Sequence, residues 1–334
     1  MEPAPREYGE IPGGNRTHAD IRQESSRCCA RSSKGLFRAH LTLGKGGHVL
    51  KKLYSAFVIV AICLSVLMYP GTYARLYHGL IDIFVLLRLS NFSSRDLPFT
   101  AVDQAKTPVV FIFDDGWSSV YSDAYPLMKR YGYRGNIAVI PGMVREREYM
   151  SYSQLAELYM DGWDILNHSY SHLEDMYFRC DEMLSEYLHA REWLNRHFFT
   201  RGINMIVTPM GECNPYLIPL LIEKGFQSIR TSDNVLLLRR NEATYFPVKT
   251  IHLLTDVSTE TALAELMACW SSDNAAAVLF NLQRINDTDD LTQISFTPQK
   301  LAALIEFIHA NEDKFQVVTY SCLLDKRSCH SLRL

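Results

Sequence analysis

Val109-Val110-Phe111-Ile112-Phe113-Asp114-Asp115-Gly116 is the stretch on which the reading of this chain turns. Five apolar residues, β-branched or aromatic, read as a short buried strand. The strand ends in two adjacent carboxylates and a glycine. Two such carboxylates are costly to bury without a cation.

Working outward, helix-like and strand-like segments alternate. Tyr121 to Tyr131 reads as a helix, and Asn136 to Ile140 as a second strand stopped by Pro141-Gly142. Ser153 to Met160 is helical, and Trp163 to Leu166 is a third strand. Asp181 to Phe198 is a long helix, Met205 to Val207 a strand, and Pro215 to Lys224 another helix. Late strands follow at Ala276 to Phe280 and Gln316 to Thr319, with the helix Pro298 to Asn311 between them. Strands alternating with helices imply an α/β fold with a parallel sheet, open or closed into a barrel. Chemistry in such folds sits at the carboxyl ends of strands. Three polar clusters fall there: Asp114-Asp115-Gly116, Asn167-His168-Ser169-Tyr170-Ser171-His172, and Thr208-Pro209-Met210-Gly211.

One Asp and two His make a ligand set suited to a catalytic divalent metal, zinc foremost, with cobalt or another divalent ion as alternatives. The spacing of His168 and His172 predicts one face of a helical turn, with Ser169 and Ser171 orienting the imidazoles. A metal held by one of the two carboxylates with His168 and His172 leaves room for water and a substrate carbonyl. The spare carboxylate is then a general base. Trp117 and Tyr170 flank these clusters and read as sugar-stacking or core residues; Trp163, on a strand, reads as core. Arg145-Glu146-Arg147-Glu148 reads as a solvated loop.

From Pro108 to about Asp325 the chain resembles the polysaccharide deacetylase domain, carbohydrate esterase family 4, also called the NodB-like homology domain. The resemblance rests on Ile112-Phe113-Asp114-Asp115-Gly116, on His168-Ser169-Tyr170-Ser171-His172, and in part on Val207-Thr208-Pro209-Met210-Gly211. It implies a distorted (β/α) barrel of about seven parallel strands. It also implies Asp114 as catalytic base, with Asp115, His168 and His172 as metal ligands. The backbone N–H of Met210, between Pro209 and Gly211 of the substrate-binding motif, would serve as oxyanion donor. Two positions depart from the family pattern. The arginine that orients the base is replaced by Val207, and the general-acid histidine aligns with Asn281, which has no proton to give. Three outcomes follow: a slower enzyme, an acid from elsewhere such as His252, or a metal-binding domain without catalysis. Val207 favours the membrane-attached exopolysaccharide deacetylases, which also lack that arginine.

The expected activity is hydrolysis of a carbon–nitrogen bond other than a peptide bond, removing N-acetyl groups from a cell-surface or extracellular polysaccharide. The alternatives are an O-acetyl esterase on acetylated glycan and a catalytically impaired glycan-binding protein.

Before this domain the chain changes character. Residues 1–50 carry eight basic and five acidic side chains, a net of +3, and read as a disordered basic tail. Translation starting near Val49, with Gly46-Gly47 as a translated ribosome-binding site, is a further expectation. Leu53 to Tyr69 holds no charge and follows Lys51-Lys52. A membrane span takes about 17–25 helical residues, so residues 51–70 read as a transmembrane signal-anchor with the remainder exported. Thr72-Tyr73-Ala74 is a weak cleavage site, which favours an anchor that stays attached. Residues 71–100 read as a juxtamembrane amphipathic segment, lying on the membrane or packing on the catalytic domain of residues 101–334. A single-pass cell-membrane protein with an extracytoplasmic catalytic domain is the resulting expectation.

A net charge of -3 over 334 residues argues against nucleic acid as a partner. The eight cysteines show no Cys-x-x-Cys pair, and Cys322 and Cys329 are spaced to close a small loop.

Overall fold

The computed structural model describes residues 73–92, 101–173, 180–239, 242–272, 276–287 and 293–325. The expectations for residues 1–70, the membrane anchor among them, and the pairing partner Cys329 lie outside these residues. Among the described residues no helix is long and apolar enough to cross a membrane.

Helix α1 (Tyr73–Ser90) precedes the first strand, β1 (Thr107–Phe113), whose last six residues are fully buried. A π-type turn at Val120–Ala124 runs into α2 (Tyr125–Arg130), then β2 (Asn136–Val139). Next come α3 (Tyr152–Met160) and β3 (Asp164–Asn167). Ser151 caps α3 reciprocally with Gln154, a capping box that starts the helix one residue before its apolar period shows. After α4 (Cys180–Arg196) and β4 (Met205–Val207) lie α5 (Ile218–Glu223) and β5 (Ser228–Arg230). Three further strands, β6 (Val235–Arg239), β7 (Glu242–Phe246) and β8 (Val248–His252), lead to α6 (Thr259–Trp270) and β9 (Ala277–Leu282). The small pair β10 (Arg284–Ile285) and β11 (Ser295–Phe296) is followed by α7 (Pro298–Ala310), β12 (Phe315–Val317) and α8 (Tyr320–Leu324).

The strands form one sheet in the order β7-β6-β5-β4-β3-β2-β1-β9-β8, with β12 on the first half of β1. From β5 to β8 seven neighbours run parallel, and β6 and β7 are antiparallel additions at one end. The expected parallel sheet is therefore present, with β12 as an eighth parallel strand. No backbone pairing joins β8 to the far end of the sheet among the described residues. Val235, Leu237 and Phe246 from one end share a buried cluster with Ala277 and Leu279 of β9, beside Val110, Ile112, Leu166, Val207 and Tyr320. Alternation along each strand sends Phe111 and Phe113 to the outer layer, under the helices with Trp163, Leu304 and Ile308.

Sequence periodicity located β1 to β4, the helices around them and the late elements to within a few residues. It missed β5 to β8 and α6. These strands are short, and their exposed or charged positions blur the apolar pattern. The segment after the predicted anchor serves as a packing helix on one side: Leu89 is buried, Val85 and Leu86 lie against the core, and Phe92 meets Tyr159 edge-on at 6.2 Å. Arg145, read as part of a solvated run, forms an ion pair with Asp82 of α1.

Candidate metal and hydrolase site

Three elements deliver the polar clusters to one end of the sheet. β1 ends at Asp114 and Asp115, β3 at Asn167 and His168, and β4 at Thr208. The chain leaves these strands through strained backbone. Asp115, Ser169, His172 and Met210 adopt left-handed φ values of 70°, 60°, 56° and 55°. Each such non-glycine residue costs of order 1–3 kcal/mol, and strain of this kind gathers where side chains must be aimed. His172 is not on a helical turn with His168, contrary to the spacing argument. The loop is held open instead: Ser169 Oγ accepts from the His172 amide at 3.0 Å, and Asn167 Oδ1 accepts from the Ser169 amide at 3.1 Å. Glu186 of α4, which sequence reasoning missed, accepts from the amides of Tyr170 and Ser171 and from Ser171 Oγ. Ser171 therefore serves the loop and not an imidazole.

Asp115, His168 and His172 each bring a ligand atom to one place, all three atoms lying within 4.8 Å of one another. Asp115 Oδ1 lies 3.2 Å from His168 Nε2 and 3.7 Å from His172 Nε2. His168 Nδ1 lies 2.8 Å from the carbonyl of Val207, an acceptor, so it carries the proton and leaves Nε2 with a lone pair. A half-buried carboxylate and two imidazole nitrogens in this arrangement fit a divalent metal. Burial alone would raise the Asp115 carboxyl. The hydrogen bond and charge of His168, the charge of His172 and the Trp117 indole outweigh it and hold the group below the usual carboxylate range.

Trp117 proves to be a positioning group. Its Nε1 donates to Asp115 Oδ2 at 3.0 Å. Tyr149 stacks on the indole at 4.3 Å, and the Arg284 guanidinium sits 3.8 Å from its centroid. Two groups at those distances cannot share a face, so both faces are covered and neither is open to a sugar ring. Tyr170 is 37% exposed, and Met210 is 63% exposed. Gly211 has φ 73°, and a Cβ there would lie 1.8 Å from Ser232 Oγ, so glycine is required. Pro209 is buried beneath it.

Asp114, next to the triad, is buried and held from across the barrel. Arg230 Nη2 donates to Asp114 Oδ1 at 3.1 Å and to Oδ2 at 3.0 Å. Asn281 Nδ2 donates to Oδ2 at 2.8 Å. Sequence reasoning missed Arg230 because β5 was missed. Val207 and Arg230 are register partners on β4 and β5, so the guanidinium reaches Asp114 from one strand further along. Asn281 lies beside Asp114. His252, weighed as a substitute acid, lies behind Asn281 with Nδ1 2.9 Å from Asn281 Oδ1.

Residues 101–229 match the family model described as polysaccharide deacetylase. The Bacillus subtilis protein YxkH, assigned to the polysaccharide deacetylases, is 27% identical over 125 residues, 37% of this chain and 44% of that protein. The chain thus matches less than half the length of that curated relative. Among solved structures, peptidoglycan deacetylase PdaC from Bacillus subtilis is 15% identical with a TM-score of 0.47, covering 69% of this chain and 95% of that one. A family 4 acetyl xylan esterase from Clostridium thermocellum, solved with cobalt, is 14% identical with a TM-score of 0.45, covering 65% of this chain and 90% of that one. Over residues 101–229 this chain is thus similar to the polysaccharide deacetylase family.

Proposed function

We propose that this protein is a metal-dependent hydrolase that removes N-acetyl groups from an extracellular or cell-surface polysaccharide, releasing acetate. The observation that carries this reading is the division of labour between adjacent carboxylates. Asp115 joins His168 and His172, whereas Asp114 beside it takes the hydrogen bonds of Arg230 and Asn281. A protein that only bound metal has no use for a second buried carboxylate held this way.

Asp115, His168 and His172 would hold the ion, zinc first among the candidates. Such an ion polarises a carbonyl and lowers the pKa of water. Asp114 accepts a proton from the water that attacks the acetyl carbonyl. The Met210 amide, exposed on its left-handed turn, is the donor for the oxygen that gains charge. Asn281 has no proton to give, so the proton taken by Asp114 is the one it returns to the leaving nitrogen. Tyr170, exposed beside the triad, offers a ring face to a sugar.

Asn281 also favours a second reading, an O-acetyl esterase, because an alkoxide leaves with less help from an acid than an amine does. Acetate release from poly-N-acetylglucosamine, chitin oligomers and acetylated xylan separates the two, with Zn²⁺ or Co²⁺ added and Asp114→Asn as control. Acetate from an N-acetyl polymer that vanishes in the control supports the deacetylase. Acetate from xylan alone supports the esterase. No acetate with stoichiometric metal defeats both.

We further propose that the chain is held at the cell membrane by Leu53–Tyr69 with its catalytic domain outside. In support, α1, which follows that run at once, keeps Ile83, Phe84 and Leu87 exposed on the side away from the core. Protease treatment of intact cells tests this; a domain protected until the cells are lysed would overturn it.

A further inference from the structure

Behind the base runs a hydrogen-bonded chain whose donors and acceptors can be assigned. The Asp114 carboxylate only accepts, so the Asn281 atom facing it, 2.8 Å away, is the Nδ2 donor. Asn281 Oδ1 then faces His252 Nδ1 at 2.9 Å, and an amide oxygen only accepts, so His252 carries its proton on Nδ1. The two side chains are held in register, because His252 and Asn281 are paired residues on β8 and β9, and the Leu253 amide donates to the Asn281 carbonyl at 2.9 Å. Nε2 of the same imidazole lies 3.7 Å from Oδ1 of Asp233, a side chain 82% exposed in the β5–β6 loop.

We propose that His252 is a positioning residue: its Nδ1–H locks the Asn281 amide so that Nδ2–H, and not the carbonyl oxygen, meets Asp114. Reversing the amide would set its oxygen against the carboxylate and leave Arg230 alone to orient it. This inference rests on Asp114 acting as the base. It differs from the substitute-acid role, which would run through Nε2 and needs no particular state of Nδ1.

The two nitrogens can be separated by substitution in the full-length protein. Asn in place of His252 retains a donor near Nδ1, Gln retains one near Nε2, and Ala retains neither. We expect His252→Ala to lower kcat about 10- to 100-fold with KM and zinc stoichiometry little changed, His252→Gln to behave like it, and His252→Asn to recover most of the rate. Recovery in His252→Gln alone, loss in both His252→Asn and His252→Gln, or full activity in His252→Ala would overturn the proposal. A second readout needs no activity. Nitrogen-15 spectra of histidine-labelled protein, with the His252 signal identified by its absence in His252→Gln, should show a ring protonated at Nδ1, and this preference should disappear in Asn281→Ala. An Nε2–H ring overturns the inference even if the enzyme is active. If the wild-type protein releases no acetate, the reading of Asp114 as base fails, and the tautomer still decides between an Asn281 held by His252 and one that is not.

Discussion

The two halves of the site are built in different ways. The candidate metal half is local: Asp115 follows β1, His168 and His172 follow β3, and each cluster is a short contiguous motif on strained backbone. The base half is assembled from far along the chain. Arg230 is 116 residues from Asp114 and Asn281 is 167 residues from it, on β5 and β9, with His252 on β8 behind. The family match ends at residue 229, one residue before Arg230. The half that is legible as motif is therefore the half the family model covers, and the groups that hold Asp114 lie beyond it. A ligand atom must sit within a fraction of an ångström of its ion, which ties residue type to position. A guanidinium can reach a carboxylate from more than one strand, so its position in sequence is free to move.

The sharpest way to break this comparison is to disable each half alone. His168→Ala should remove zinc binding and acetate release together. Asp114→Asn should leave zinc bound stoichiometrically while kcat falls about 10²–10⁴-fold. Zinc titration beside acetate assays reads both, and loss of zinc from Asp114→Asn would show the halves are not separable.

Arg230→Met should come next. It leaves Asp114 buried without its cation, and breaking a buried pair costs about 3–5 kcal/mol, read by chemical denaturation, with kcat falling alongside. Adding Val207→Arg to Arg230→Val places the guanidinium one strand back at the register partner. Recovery of part of the rate would show that contact with Asp114 matters and strand of origin does not. No recovery would tie function to the β5 position.

Trp117→Phe tests the metal half more gently. The ring between Tyr149 and Arg284 survives and the hydrogen bond to Asp115 is lost, so zinc affinity should fall about 10–100-fold with little change in unfolding. An unchanged affinity would return Trp117 to packing alone. The smallest effect is expected at Tyr170→Ala: a rise in KM of up to about tenfold, equivalent to roughly 0.5–1.5 kcal/mol of stacking, with kcat nearly constant. A fall in kcat instead would assign Tyr170 to the catalytic step.

Trp117 and His172 show where motif reading stops. Sequence placed both beside the metal. It could not tell that Tyr149 and Arg284 close the faces of the indole, because those contacts join residues 32 and 167 positions away. Nor could it tell that His172 sits on an open, left-handed loop, because the residues that hold it there include Glu186 of a later helix.

What the sequence determined by itself is the alternation of elements, the parallel sheet, and the carboxylate and two imidazoles at strand ends. These follow from the period of apolar residues and from the cost of burying charge, both of which act over a few positions. What the tertiary structure decided is which groups hold Asp114. β5 is three residues long and β8 carries only a partly buried pattern, so neither announces itself. Their side chains acquire meaning when parallel pairing sets Arg230 beside Val207 and His252 beside Asn281, and that register is settled by the packing of the whole barrel.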